Sequence, residues 1–109
     1  MSQLYRFSEY RKSPRRVFFD RAELNQLLSL YSRNVASGEW RDYAIDQVGG
    51  SAIFSVFRHT HDAPLYAIAK QAGGRKVEYV VFSGREKLRS AKSLGEALKV
   101  FNKKLRVVS

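Results

Sequence analysis

The sequence contains no cysteine among its 109 residues. That absence removes a disulfide framework, a catalytic thiol, a thiolate zinc centre and an iron–sulfur cluster together. No apolar run approaches the roughly 18 residues that a membrane span requires, so integral membrane association is not expected. The opening residues Met1-Ser2-Gln3-Leu4-Tyr5-Arg6 carry no apolar h-region. A secretory leader is therefore not expected, and the cytoplasm is the expected compartment. There is no Walker loop, no Gly-x-Ser-x-Gly elbow and no His-Glu-x-x-His, and nothing calls for a cofactor. The one metal-like cluster is His59-x-His61-Asp62. It lacks a suitably spaced fourth ligand and reads as a polar hairpin turn. Glu39, Asp42 and Asp46 would make an acid–base set on paper, but neighbouring cations, Arg41 foremost, offer them ordinary ion pairs. An enzyme is not the expected class.

Acidic residues are also in short supply, 10 Asp and Glu against 20 Lys and Arg, for a formal net charge of +10. The imbalance is concentrated at the two ends. Residues 1–16 carry a net +4, residues 17–74 a net −1 and residues 75–109 a net +7. Clustered positive potential favours polyanionic partners, nucleic acid first and anionic lipid second. A basic surface that only confers solubility is the plain alternative. The 44% hydrophobic and 13% aromatic content indicates a folded chain, and the length suits a single domain.

Residues 1–16 read as a basic flexible arm preceding a single α+β domain over 17–109. In the arm, Arg6, Arg11, Lys12, Arg15 and Arg16 are interleaved with Tyr5, Phe7 and Tyr10. That composition suits phosphate contact plus base stacking, and it equally suits a leader whose aromatics fold back onto the domain.

Asp20 and Glu23 form a capping box that opens a helix with an apolar stripe at Leu24, Leu27, Leu28, Tyr31 and Val35. Phe19 and Leu24 stand at hydrophobic-staple spacing, and Gly38 suits a left-handed cap. Strand-like runs follow at 41–48, 51–58, 65–70 and 76–83, with Gly49-Gly50 and Gly73-Gly74 in the turns. Apolar groups on both faces mark 51–58 as an internal strand. Residues 86–90 fit either a fifth strand or the first turn of a helix. A second capping box, Ser93-x-x-Glu96, starts a last helix whose stripe is Leu94, Ala97, Leu98, Phe101 and Leu105 and whose outer face is basic. The predicted fold is α+β, an antiparallel meander sheet of four to five strands with two amphipathic helices packed on one face. Trp40, the single tryptophan, suits the helix–sheet junction in the core, with a binding anchor formed with Arg41 and Tyr43 as the alternative.

The motifs Phe19-Asp20-Arg21-x-Glu23-Leu24, Gly38-Glu39-Trp40-Arg41-Asp42-Tyr43-Ala44-Ile45, Phe54-x-Val56-Phe57-Arg58 and Pro64-Leu65-Tyr66 resemble those of a bacterial domain-of-unknown-function family of short basic proteins. The resemblance spans about residues 17–105. It implies a stand-alone bacterial cytoplasmic domain and supplies no catalytic residues.

The expected function is non-enzymatic nucleic-acid binding, with RNA ahead of DNA. The candidate contacts are Arg11, Lys12, Arg15 and Arg16 in the arm and Arg85, Lys87, Arg89, Lys92, Lys99 and Lys103 toward the C-terminus. The helix–meander–helix order is loosely similar to double-stranded-RNA-binding domains, from which it departs by at least one extra strand. Backbone amides at the Ser93 helix start would add an anion site. The second reading is a protein-interaction or homodimerising domain that uses an exposed aromatic sheet face with Phe54, Phe57, Tyr66 and Tyr79. Peripheral membrane attachment through the arm is a third.

Overall fold

A computed structural model of the chain describes residues 16–59 and 63–102. Val17 to Asp20 form an extended lead-in, and helix α1 (Arg21–Ala36) starts where Asp20 supplies the cap. The Asp20 carboxylate accepts from the Glu23 N–H at 2.8 Å and the Glu23 carboxylate accepts from the Asp20 N–H at 2.9 Å, so the expected capping box is complete. Ser37 is the C-cap, and Gly38 follows at φ +82°, the left-handed position anticipated for it. The Asn34 carbonyl then accepts from the amides of both Glu39 and Trp40, which turns the chain into the sheet.

Five antiparallel strands follow in sequence order: β1 (Asp42–Val48), β2 (Ser51–Phe57), β3 (Tyr66–Gly73), β4 (Lys76–Ser83) and β5 (Glu86–Ala91). The fold is the α+β meander expected from the sequence, with β2 internal, β3 at the centre and β1 and β5 at the two edges. The stretch 86–90, open between strand and helix on pattern alone, is a strand. Gly49 and Gly50 have φ of +56° and +88°, the left-handed pair that a two-residue hairpin demands. A Cβ at Gly49 would meet nothing within 4 Å. Gly49→Val should therefore destabilise purely through the backbone, by about 1–2 kcal/mol, measurable as a lowered midpoint in urea.

The last helix is interrupted within the stretch that the periodicity marks as helical. Helix α2 (Leu94–Ala97) ends at Leu98, and helical geometry resumes over residues 99–102 after that break. Its capping box is half made. Ser93 Oγ accepts from the Glu96 N–H at 3.2 Å, but the Glu96 carboxylate is held by Lys99 and Arg89 and does not reach back. Leu105, Lys103 and the rest of the proposed C-terminal stripe lie outside the described residues.

Cross-strand register sorts the side chains. Ile45, Phe54, Ile68, Val81 and Arg89 form one row across all five strands, and Gln47, Ala52, Lys70, Tyr79 and Ala91 form the next. These rows face α1 and α2. Phe54, Val56, Ile68, Tyr79 and Val81 meet Leu27, Leu30, Leu94, Ala97 and Phe101 there in one core. Trp40, at 2% exposure, belongs to that core. Its ring lies 5.6 Å from Phe101 in a T-shaped pair, 6.1 Å from Tyr66 and 6.5 Å from Tyr31.

The same register separates the four aromatics selected for an interaction face. Phe54, Tyr66 and Tyr79 lie on the helix-covered side, where Phe54 and Tyr79 are buried, and only Phe57 lies on the other. Phe57 pairs with Asp42, on the side opposite the Tyr43–Val56–Tyr66 row.

Candidate nucleic-acid interface

Four of the described C-terminal cations lie along one edge of the sheet. Arg85 sits in the β4–β5 turn, Lys87 and Arg89 are on β5, and Lys92 follows the strand; all four are exposed. β5 is hydrogen-bonded only to β4, so its outer side has no neighbouring strand among the described residues. At about 3.3 Å per residue, Arg85 to Lys92 spans about 23 Å, a strip long enough to meet several consecutive phosphates.

Lys87 and Arg89 are two residues apart, a spacing that would put both on one face of a regular strand. The structure divides them. A register shift between Val81 and Phe82 pairs Phe82 with Lys87 and Val81 with Arg89, leaving Leu88 as an extra residue. Lys87 therefore faces away from the helices and Arg89 faces α2, so the strip presents cations from both sides of the edge.

Arg89 and Lys99 share Glu96. Arg89 Nη2 lies 3.2 Å and Lys99 Nζ 3.1 Å from its two carboxylate oxygens. The hydrogen bond from Lys99, then its charge, hold the Glu96 carboxyl below its ordinary value. Such exposed pairs contribute little to stability, and both cations can turn toward a phosphate. Arg85, Lys87 and Lys92 make no ion pair with a described carboxylate.

Not all the sequence-selected cations converge here. Arg11, Lys12, Arg15 and Lys103 lie outside the described residues. Arg16 is exposed next to Val17, whose N–H donates to the Gly50 carbonyl at 3.0 Å and whose carbonyl accepts from Gln47 Nε2 at 2.8 Å. The described end of the N-terminal segment is thus fixed at the β1–β2 turn, on the opposite side of the meander from β5. The anion site expected at Ser93 also loses its basis. A four-residue helix has a small dipole, one amide there is taken by Ser93 Oγ, and Glu96 adds negative charge.

Of the metal-like turn, His61 and Asp62 lie outside the described residues and His59 is exposed. Among the described residues no cluster of three His, Asp or Glu side chains is placed to hold a metal ion, and no helix is long and apolar enough to cross a membrane. A cleft of about 360 Å³ between α1 and α2 is lined by Asn25, Gln26, Ser29, Arg33 and Asn102, and by none of the sequence-selected cations.

One polar cluster was not anticipated. Glu23 Oε1 accepts from Lys70 Nζ at 2.7 Å, Glu23 Oε2 accepts from the Tyr79 hydroxyl, and Lys70 Nζ also donates to the Phe18 carbonyl at 2.7 Å. Burial acts to raise the Glu23 pKa, but the hydrogen bonds from Lys70, Tyr79 and the Asp20 amide outweigh it and hold the carboxyl below 4.5. Burial and the adjacent carboxylate push the Tyr79 phenol well above its ordinary value, which keeps it a donor. The readable signal was Lys70 itself, a cation in phase with Tyr66 and Ile68 on the core side of its strand. Every buried side-chain N and O among the described residues has a hydrogen-bond partner. The cluster is closed and joins the cap of α1 to the sheet.

A family model described as a protein of unknown function matches residues 17–90. No curated protein and no solved structure matches the chain.

Proposed function

Since the chain belongs to the DUF2794 family, whose function is unknown, we propose from its own surface that it is a non-enzymatic nucleic-acid-binding protein, with RNA favoured over DNA. The observation that carries this reading is the β5 strip: Arg85, Lys87, Arg89 and Lys92 within eight residues of an exposed edge, with Lys99 adjoining through Glu96. Arg11, Lys12, Arg15, Arg16 and Lys103 enter the proposal through their charge. Phosphate contact from an edge strip reads backbone shape more than base identity, so the selectivity expected is for nucleic-acid form.

The buried set Glu23, Lys70 and Tyr79 is closed on itself, whereas the β5 cations lie on an open edge beside the exposed Glu86 and Glu96.

Gel shifts with duplex RNA, single-stranded RNA and duplex DNA at two salt concentrations test the proposal. Affinity should fall by about 0.7–0.9 log units per decade of salt for each phosphate contacted. Neutralising Lys87, Arg89, Lys92 and Lys99 together should reduce the slope by roughly three to four and abolish the shift at about 0.15 M salt. Binding that ignores salt, or that survives the fourfold variant, would overturn the reading.

A further inference from the structure

The opposite edge of the sheet has a different character. Among the described residues β1 is hydrogen-bonded only to β2, and six of its seven residues are exposed. The Tyr43 N–H is held by Asp42 Oδ1 at 2.9 Å, and the rest of this outer edge has no neighbouring strand among the described residues, which makes it a template for one more strand. On the helix side of β1, Tyr43 and Ile45 remain 40% and 48% exposed although α1 lies alongside, where Tyr31 packs edge-on against Tyr43 at 4.8 Å. Val35, one helical turn beyond Tyr31 on the apolar stripe of α1, is 40% exposed as well. The other side of β1 carries Asp42 and Asp46, and the strand holds no cation.

From this arrangement we propose that β1 is a docking edge for an extended peptide segment of alternating apolar and basic residues, bound as a sixth strand. Its apolar side chains would enter the space between α1 and β1, its backbone would complete the ladder, and its cations would face Asp42 and Asp46. A second copy of β1 is a poor occupant. Antiparallel pairing of two β1 strands with their helices on one side sets aspartates of the two copies opposite or diagonal to each other, which is repulsive. The overall charge of +10 also repels a basic peptide in general. Capture of one therefore requires a local site of this kind.

The experiment uses the full chain and a fluorescein-labelled peptide of four Lys-Val repeats, followed by polarisation. Saturable binding is expected, with a peptide of four Glu-Val repeats at least about tenfold weaker. N-methylation of alternate amides along the pairing edge should abolish binding, because it removes the ladder without changing charge. Ile45→Lys, at an exposed position, should weaken binding about tenfold while the circular dichroism spectrum and the nucleic-acid gel shift stay unchanged. Asp42→Asn with Asp46→Asn should erase the preference over a Thr-Val peptide. Equal binding of the N-methylated peptide, full affinity in the Ile45 variant, or formation of a dimer in place of peptide capture would each overturn the proposal. None of these results depends on whether β5 binds nucleic acid.

Discussion

Glu23→Ala is expected to destabilise the protein by about 3–5 kcal/mol, the range for removing one partner of a buried ion pair. Glu23 is 8% exposed and accepts hydrogen bonds from three donors on three parts of the chain: the Asp20 amide, Lys70 on β3 and Tyr79 on β4. Truncation leaves the half-buried Lys70 ammonium with only the Phe18 carbonyl, leaves the Tyr79 hydroxyl without its acceptor, and breaks half of the capping box. Tyr79→Phe removes a single bond of the set and should cost about 1–3 kcal/mol. Urea unfolding monitored by circular dichroism ranks the two. A loss below about 1 kcal/mol for Glu23→Ala, the value of an exposed pair, would show the cluster to be solvated.

The same group sets an acid limit. The folded-state pKa of Glu23 lies below 4.5, so its contribution is complete above the unfolded value and is lost as pH falls through the lower, folded value. Tyr79 acts at the other end. Its raised pKa gives a contribution present below the ordinary value of 10.0 and lost as pH rises through the folded value. The wild-type unfolding midpoint should hold steady between those limits. In Glu23→Ala the acid-side loss should be shallower, because one depressed carboxyl is gone.

How much of this was legible depends on the range of the interaction. The start of α1 is written locally, in Asp20 and Glu23 three residues apart, and the first hairpin in Gly49-Gly50; both appear where expected. Residues 86–91 alternate in neither pattern, and their identity as β5 comes from the hairpin with β4, from Ser83 against Glu86 to Tyr79 against Ala91, and not from their own periodicity. The basic strip was visible as charge, but its facing was not, because the shift at Val81/Phe82 reverses the side on which Arg89 emerges relative to Lys87. Glu23 was read as half of a cap. Its second role needs Lys70 and Tyr79, 47 and 56 residues away, which the register of β3 with β4 places side by side. The Ser93 box was overread because Glu96 had two competing partners, and a cation three residues on, Lys99, was the sequence sign of one of them.

Trp40→Ala should also destabilise by about 3–5 kcal/mol, the range for emptying a large aromatic site in a core. The indole is 2% exposed and touches elements distant in sequence: Tyr31 on α1, Tyr66 on β3 and Phe101 after α2. Phe101 and Tyr66 also pair edge-on at 5.1 Å, so removing the ring leaves that pair with a void on one side. The effect should be local before it is global. α2 is four residues long and has little helical stability of its own, so it depends on Leu94, Ala97 and Phe101 staying packed. Hydrogen exchange in Trp40→Ala should accelerate at the amides of Ala97, Leu98 and Phe101, which bond to carbonyls of residues 93, 94 and 98. The β2–β3 ladder should keep more of its protection. Trp40→Phe should fall between wild type and alanine, since it refills part of the space. In the wild type, the single tryptophan should fluoresce in the blue-shifted range of a buried indole and move to the red on unfolding. A red-shifted native spectrum, or a Trp40→Ala protein as stable as wild type, would show that the ring stands at the surface and that α2 is held by something other than this junction.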